Sequence, residues 1–422
     1  MTAEKSIASV STGQLHDVPA AAPAAPSPVQ AWLGVTSVAT GAFAFVTTEF
    51  LPIGLLPQIA HDMSVSPGTA GLMVTVPGLI AAIAAPILMI AAGRMDRRTV
   101  LLILTALLVA SNAAAALASN FMIMLAGRAL FGAALGGFWT LAITIGARLV
   151  REQRAARATA IILTGVSFAT IIGVPLGTFI GSFASWRVAF TATGVLAALA
   201  LLAQAVLLPR LPSPKALKIG DFKSLFLRTD GRVGLAMVAL IFGGHFAAYT
   251  YVAPFLLQRA GLDFSAVSTV LLGYGLAGFI GNFTTAAFVT RHLRAALLAV
   301  VAVLAAALIL LPFVEASQFG VIALVLAWGA AFGGIPLCLS IWMTKLTSDA
   351  PEAGSAMFIS NIQIAIALGS LIGGRVVDLL GIPVALWLGG GLALGGLLVF
   401  VARGHENALP MGDGDDTVGD FV

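Results

Sequence analysis

The chain alternates between long apolar runs and short polar connections. A helix that crosses a membrane needs about 20 mainly apolar residues, and twelve runs reach that length. We number them spans 1 to 12, and they cover residues 33–57, 69–92, 99–118, 121–147, 157–183, 186–208, 232–257, 266–289, 295–314, 319–343, 355–375 and 382–402. Strands of a membrane barrel would be about 10 residues long with alternating polarity, and the runs do not have that pattern. The sequence therefore predicts an all-α polytopic membrane protein.

The longest polar connection divides the twelve spans into two sets of six. It covers residues 209–231 and is predicted to be a cytoplasmic linker between an N-terminal half, 32–208, and a C-terminal half, 232–403. Span 5 contains LGTFIG and span 11 contains LGSLIG at matching positions within the halves. Internal repeats with a substrate site between them are common in transporters. We therefore expect two pseudo-symmetric six-helix halves.

The two ends of the chain differ in composition from the spans. Residues 1–31 are polar and rich in Ala and Pro, and residues 404–422 contain the acidic run GDGDD. The first segment lacks the basic and then apolar pattern of a cleaved signal peptide. Both ends are predicted to be disordered cytoplasmic tails.

Composition agrees with a membrane protein. The chain is 59% hydrophobic and 9% charged, whereas soluble domains have about 25% charged residues. So few charges cannot cover a soluble surface. The single cysteine, Cys338, excludes a disulfide within the chain.

The distribution of positive charge predicts the orientation. If the N-terminus is placed inside, nearly all of the 22 Lys and Arg residues fall on the inner side or in the tails. The exceptions are Arg187, Arg259 and Arg375 on the outer side, and Arg128 within a span. Cytoplasmic loops carry such an excess, so both termini are predicted to be cytoplasmic. The net charge of +4 then reflects topology and does not indicate nucleic-acid binding.

Motifs of soluble chemistry are largely missing. The sequence has no GxxxxGK[ST], HExxH or CxxC pattern, and its one GxGxxG, at Gly273, Gly275 and Gly278, lies inside span 8, where it favours helix packing. The sequence therefore predicts neither an enzyme nor a cofactor or metal. A membrane sensor remains a distant alternative, although a sensor usually carries a soluble domain and the linker and tails are short.

Two ionisable residues of opposite sign are predicted deep in the membrane. Glu49 is the only ionisable residue from Trp32 to Pro57, and a charge at the centre of a bilayer costs at least about 2.5 kcal/mol. Glu49 and Arg128 each lie eight residues from the outer end of their spans, about 12 Å at the helical rise. Matched depth predicts a coupled pair beside a central cavity, with Glu49 carrying the proton. The alternative is a fixed ion pair that only helps the half to pack.

Uncharged polar and aromatic side chains in several spans suggest a substrate cavity. Asn361 and Gln363 are two residues apart, so they cannot both face the cavity, and we favour Asn361. Such groups suit sugars, nucleosides or amphipathic drugs. The predicted substrate-binding residues are Arg128, Trp139, His245, Tyr249, Asn282, Trp342 and Asn361.

Two further segments suggest moving parts. The segment AGRMDRRTVLL after span 2 is either a positive anchor or a conformational latch, and the latch residues are Gly93, Asp96, Arg97 and Arg98. In span 5, proline is expected to kink or loosen the helix between closely packed glycines. That predicted kink motif comprises Gly173, Pro175, Gly177 and Gly181.

These segments together resemble the signature regions of the major facilitator superfamily. GRMDRR after span 2, GRALFGAALGGFW in span 4 and GVPLG in span 5 carry the resemblance. TEFLPIGLLPQIA, GHFAAYTYVAPFL and LIGGRVVDLLG resemble the bacterial sugar (arabinose-type) and purine ribonucleoside efflux transporters.

The resemblance implies export of a small organic solute by proton antiport, with alternating access, by a monomer in the lipid bilayer of a bacterial inner membrane. Proton-coupled uptake, or a facilitator without ion coupling, remains the alternative.

Overall fold

The computed structural model describes residues 28–93, 95–212, 229–346 and 351–403, and these residues form helices and turns without strands. Within this described part of the chain, twelve helical segments are long and apolar enough to cross a membrane. Spans 1 to 6 are Pro28–Asp62, Pro67–Ala70 with Leu72–Ala92, Arg97–Ala116, Phe121–Leu149, Ala155–Phe168 with Val174–Phe183, and Trp186–Leu207. Spans 7 to 12 are Thr229–Tyr249 with Val252–Gln258, Phe264–Leu310 for spans 8 and 9, Gln318–Leu346, Pro351–Leu380, and Ile382–Arg403.

Each set of six spans packs mainly within itself. In the first half, span 2 lies against span 4, span 3 against spans 4 and 6, and span 1 against spans 5 and 6. In the second half, spans 8 and 9 lie against span 10, and span 7 lies against spans 11 and 12. The halves meet mainly where span 2 contacts span 11 and span 5 contacts span 8. The predicted all-α fold of twelve spans is confirmed.

Side-chain caps begin several helices at the positions where the polar connections end. The Asn120 side chain accepts a hydrogen bond from the Ile123 N–H at 3.0 Å, and the Asp263 side chain accepts one from the Ala266 N–H at 2.7 Å. Such caps satisfy backbone donors that have no partner within the helix. Short polar connections therefore stop one span and start the next.

Several helices differ from the predicted boundaries, and three of the differences affect the shape of the spans. Span 1 continues through Pro57 to Asp62. Spans 8 and 9 form one hydrogen-bonded helix with a kink at His292, where φ is −136° and ψ is 51°. Span 7 is broken after Tyr249 and resumes at Val252. Pro254 lies just beyond that break and has no N–H for the carbonyl four residues earlier. Apolar periodicity does not reveal such local interruptions.

The linker and tails are only partly described. The first helix begins at Pro28, four residues before the predicted start of the half. Most of the predicted linker, 213–228, and residues 1–27 and 404–422 lie outside the described residues. The cytoplasmic location of these segments and the disorder of the two tails stay predictions.

Candidate functional site

Arg128 is completely buried inside the first half, and its hydrogen bonds go to backbone carbonyls. Its Nε donates to the Met73 carbonyl at 2.7 Å, and one terminal nitrogen donates to the Thr48 carbonyl at 2.8 Å. The other terminal nitrogen donates to the Glu49 carbonyl at 3.2 Å. The guanidinium also lies 4.6 Å from the centre of the Phe131 ring. Arg128 therefore joins spans 1, 2 and 4.

Two of these carbonyls are left without a helical donor by prolines. In an α-helix a carbonyl accepts from the N–H four residues later, and four residues after Thr48 and Met73 stand Pro52 and Pro77. Proline has no N–H, so both carbonyls would be unsatisfied in an apolar interior. The Arg128 guanidinium supplies the missing donors.

The predicted charge pair is therefore not formed as an ion pair. Among the described residues, no carboxylate oxygen lies within ion-pair distance of the Arg128 guanidinium, although Arg128 bonds the Glu49 backbone. The prediction of matched depth placed the two residues near each other. It did not account for the carbonyls of Thr48 and Met73, which lack a helical donor because of Pro52 and Pro77 and accept hydrogen bonds from the guanidinium instead.

The Glu49 carboxyl group lies at the contact between the two halves. Its side chain is 8% exposed, and its Oε1 accepts a hydrogen bond from Gln363 Nε2 of span 11 at 3.3 Å. The only deep acidic group of the first half thus contacts the second half directly.

Asn361 and Gln363 make different contacts, and the predicted role of Asn361 in substrate binding stays a prediction. Asn361 Nδ2 donates to the Leu235 carbonyl of span 7 at 2.8 Å, within the second half. Residues two apart on a helix point about 200° apart, so only one of them reaches the first half. That residue is Gln363.

The predicted residues His245 and Tyr249 belong to a stack of four rings in the second half. Phe332 stacks on His245 with ring centres 3.4 Å apart, His245 on Tyr249 at 5.0 Å, and Tyr249 on Tyr274 at 4.9 Å. The Trp328 ring stands edge-on to His245, Tyr249 and Tyr274, at interplanar angles of 74° to 84°. We call these five residues from spans 7, 8 and 10 the aromatic column.

The column contains four buried polar side chains, those of His245, Tyr249, Tyr274 and Trp328, and one hydrogen bond between them is described. Trp328 Nε1 donates to His245 Nδ1 at 3.0 Å. In the part of the chain that the structure describes, His245 Nε2 and the Tyr274 hydroxyl have no hydrogen-bond partner. Most buried polar atoms in proteins are partnered, so these two atoms are candidates for ligand contact.

Phe246 connects the aromatic column to the Glu49 region. Its ring is edge-on to His245, with centres 4.8 Å apart, and it stacks on Phe50 of span 1 at 5.8 Å. Phe50 follows Glu49 in the chain. Through Phe246, the column is therefore linked to the residue of span 1 that follows Glu49.

The other predicted substrate residues lie apart from the column in their described contacts. The Trp139 ring packs edge-on against Phe138 in the first half, and Trp342 packs edge-on against Phe400 of span 12. Asn282 is partly buried in span 8. Their roles in substrate binding stay predictions.

The segment after span 2 is tied to the chain that follows span 6. Asp96 caps span 3 by accepting from the Arg98 N–H at 2.8 Å, and both of its carboxylate oxygens accept from the Leu211 N–H at 3.1 Å. The Arg97 N–H donates to the Leu211 carbonyl at 2.9 Å. Gly93 has a positive φ of 34°. These contacts join the predicted latch to the start of the linker.

Span 5 has a π-helical turn at Ala169–Gly173, directly before Pro175. The glycines that follow lie against span 1. A Cβ atom at Gly173, Gly177 or Gly181 would collide with Thr47, Leu51 or Leu55, respectively. The loosened turn and the close approach of spans 1 and 5 occur together here.

One end of the interface between the halves is closed by a carboxylate that the sequence analysis did not select. Asp378 of span 11 accepts from the Ser66 hydroxyl at 2.7 Å and from the Gly68 N–H at 2.9 Å, at the start of span 2. Deeper in the bundle, the Ser370 hydroxyl donates to the Gly71 carbonyl at 3.1 Å. We call this end of the bundle the closed end. The motif GGRVVD contains Asp378, but its partner is distant in sequence.

The geometry and the comparisons with known proteins define the class. The sequence matches the Major Facilitator Superfamily over residues 38–363. The chain belongs to this family and is a multi-pass membrane protein of a transporter fold.

Among curated proteins, the chain is 32% identical to the purine ribonucleoside efflux pumps NepI of Salmonella paratyphi C and Salmonella typhimurium, over 372 residues that cover 88% of this chain and 94% of each relative.

Solved structures show the same fold. The nucleoside transporter NupG superposes with a TM-score of 0.71 at 16% identity, covering 88% of this chain and 99% of that one. A bacterial homologue of the human lysosomal transporter Spinster, in an inward-facing conformation, superposes with a TM-score of 0.68 at 15% identity, covering 89% and 96%.

Proposed function

We propose that this protein exports purine ribonucleosides across a bacterial inner membrane in exchange for protons. The observation that carries the proposal is the position of the Glu49 carboxyl group, which is buried at the contact between the halves and hydrogen-bonded to Gln363 of the opposite half. The similarity to efflux pumps for purine ribonucleosides supports the substrate class.

Glu49 is suited to link proton binding to the arrangement of the halves. An isolated carboxylate is costly in an apolar interior, and hydration or a nearby cation makes its charged form tolerable. If the halves separate around Glu49, its hydration and its bond to Gln363 both change. Proton affinity would then differ between the two access states, which is the requirement for coupling.

Arg128 has a supporting role in this proposal. Its donors are bound to backbone carbonyls of spans 1 and 2, so the guanidinium is held in place and is not free to follow the substrate. Because it also bonds the Glu49 carbonyl, it fixes the depth of the carboxyl group and provides a constant positive charge nearby. We therefore assign proton carriage to Glu49 alone.

The excess of Lys and Arg supports cytoplasmic termini, and the closed end would then face the outside. Asp378 and Ser66 then seal the exterior side in this conformation, and the substrate would load from the cytoplasm. Alternating access would require the contacts of Asp378 with the start of span 2 to break before release. The protein acts as a monomer in this scheme.

Everted membrane vesicles test the proposal. An inwardly acidic pH gradient is established, adenosine or inosine is added, and the gradient is followed with a fluorescent dye. Vesicles with the wild-type protein should lose part of the gradient on addition of nucleoside, whereas Glu49→Gln vesicles, at equal protein content, should not.

The proposal would be overturned if nucleoside caused the same loss of the pH gradient in Glu49→Gln vesicles as in the wild type. It would also be overturned if nucleoside caused no loss in wild-type vesicles. Arabinose added to the same vesicles separates sugar export from nucleoside export. Tritiated adenosine accumulating in right-side-out vesicles under the opposite gradient, with the acidic side outside, would show proton-coupled uptake instead.

A further inference from the structure

We infer that the aromatic column is the base-recognition site, and that His245 selects the ligand by donating a hydrogen bond from Nε2 to a ring nitrogen of a purine. The inference rests on the proposed function, because it names the part of the protein that reads the nucleoside. It adds Tyr274, Trp328 and Phe332 as determinants of specificity.

Trp328 decides which nitrogen of His245 carries the proton. The indole Nε1–H can only donate, so His245 Nδ1, which accepts from it at 3.0 Å, carries no proton. A neutral imidazole then has its proton on Nε2. The free side of His245 is thus fixed as a donor, and the ligand atom opposite it has to be an acceptor.

The fixed donor and the Tyr274 hydroxyl are left unpartnered inside the protein. His245 is fully buried and Tyr274 is 8% exposed, and neither His245 Nε2 nor the Tyr274 hydroxyl has a partner among the described residues. A buried polar atom without a partner destabilises the folded protein. A ligand that supplies an acceptor removes this cost, and an analogue without the acceptor does not.

The rings around these atoms match a planar heterocycle. Stacking on aromatic side chains is the usual way in which proteins hold an unpaired base, and the column offers the faces and edges of five rings. The column is not completely buried. Phe332 is partly exposed, and Tyr249 and Tyr274 are each 8% exposed. A sugar without a base has no flat surface to stack on these rings.

The break in span 7 places the column where the backbone can move. Tyr249 is the last residue of Thr229–Tyr249, and the helix resumes at Val252. Substrate sites of transporters are often formed by such discontinuous helices. Movement at this break would let the base reach His245 Nε2 without dismantling the second half.

The test is a cycle between protein variants and deaza analogues of adenosine. Competition against tritiated adenosine is measured with purified protein in nanodiscs for 1-deaza-, 3-deaza- and 7-deazaadenosine, each of which lacks one ring nitrogen. We expect the wild type to bind one analogue about tenfold more weakly than adenosine, because one buried hydrogen bond is lost.

The double variant His245→Phe/Trp328→Phe removes both partners of the internal hydrogen bond and keeps two rings. Replacing both partners leaves no new unpaired atom, so this variant should fold, as thermal unfolding will show. It should bind adenosine and the discriminated analogue equally. Trp328→Phe alone should reduce the discrimination only in part, because His245 can then exchange its proton between nitrogens. Tyr274→Phe provides a second variant that loses a hydroxyl without a partner.

The possible outcomes distinguish the inference about base recognition from the proposed export of nucleosides. If the double variant and Tyr274→Phe keep the wild-type ratio of affinities, or if the wild type does not discriminate among the analogues, the inference is overturned while nucleoside export can stand. If the wild type binds no purine ribonucleoside, the proposed substrate class and the inference both fall. Loss of proton coupling in Glu49→Gln with the ratio unchanged supports both.

Discussion

The Arg128 site and the aromatic column are both buried and polar, yet they differ in how their hydrogen bonds are satisfied. The Arg128 guanidinium donates hydrogen bonds to three backbone carbonyls. The column forms one internal hydrogen bond and leaves His245 Nε2 and the Tyr274 hydroxyl without described partners. The comparison teaches that charge alone does not identify a ligand site. The more useful sign is a buried polar atom whose partner is missing.

The strongest way to test the comparison is to remove Arg128. Arg128→Met leaves the Thr48 and Met73 carbonyls unpaired, and each unsatisfied buried group costs about 1–3 kcal/mol. We expect a loss of several kcal/mol in stability, seen as a lower unfolding temperature and poor recovery in detergent.

The prolines provide the matched rescue. Adding Pro52→Ala and Pro77→Ala to Arg128→Met restores the two N–H donors, and the triple variant should recover most of the lost stability. A triple variant as unstable as Arg128→Met would contradict the assignment of Arg128 to the proline-released carbonyls.

A smaller effect is expected at the closed end. Asp378→Ala removes a charge-assisted contact with the Ser66 hydroxyl and the Gly68 N–H, and such contacts contribute about 1.5–3 kcal/mol. The closed arrangement should become less populated, and spin-label distances between the ends of spans 2 and 11 should broaden toward longer values.

Ser185→Ala is the control for Asp378, since Ser185 caps span 6 within the first half and does not bridge the halves. Its distance distribution should match the wild type. Equal broadening in both variants would show that the loss of any helix cap disturbs this end.

Tyr274→Phe should change stability in the opposite direction from Arg128→Met. Removing a buried hydroxyl without a partner should raise stability, by about 1 kcal/mol, while nucleoside affinity falls. Thermal unfolding and binding are measured on the same preparation. A variant that is destabilised as much as a normal core substitution would show that the hydroxyl is satisfied in the protein.

The smallest effect is expected for Asp96→Asn. Asparagine caps helices about as well as aspartate, so the contact with the Arg98 N–H should persist and stability should change by only a few tenths of a kcal/mol. The loss of charge beside Arg97 and Arg98 should slow transport without changing equilibrium affinity. A large loss of nucleoside affinity with normal turnover would contradict a latch role.

Much of the fold could be predicted from the sequence, because the length and apolar character of a span follow directly from the thickness of the bilayer. The twelve spans were confirmed on this basis, and the match to the family model confirmed the family that the motifs resemble. The break after Tyr249 was not predicted, because it depends on local backbone geometry within an unbroken apolar run. The extension of span 1 past Pro57 was not predicted, because residues 58–62 are mostly polar.

The candidate site was harder to predict. Glu49, Arg128 and His245 stand out as rare polar residues in apolar runs. The partners of Arg128 could have been found from prolines four residues after candidate carbonyls, as Pro52 and Pro77 show. By contrast, Gln363 and Trp328 make their contacts with residues that are distant in sequence, so local patterns carry no information about them.

The measurement that tests the central claim most directly is uphill transport by Glu49→Gln. Proteoliposomes with wild type or variant receive a pH gradient and equal tritiated adenosine on both sides, and a second set without a gradient measures exchange. The account predicts that the wild type concentrates adenosine, whereas Glu49→Gln does not concentrate it but still binds and exchanges it, since glutamine mimics the neutral carboxyl group. Concentration of adenosine by Glu49→Gln at the wild-type rate would contradict the assignment of Glu49 as the proton carrier.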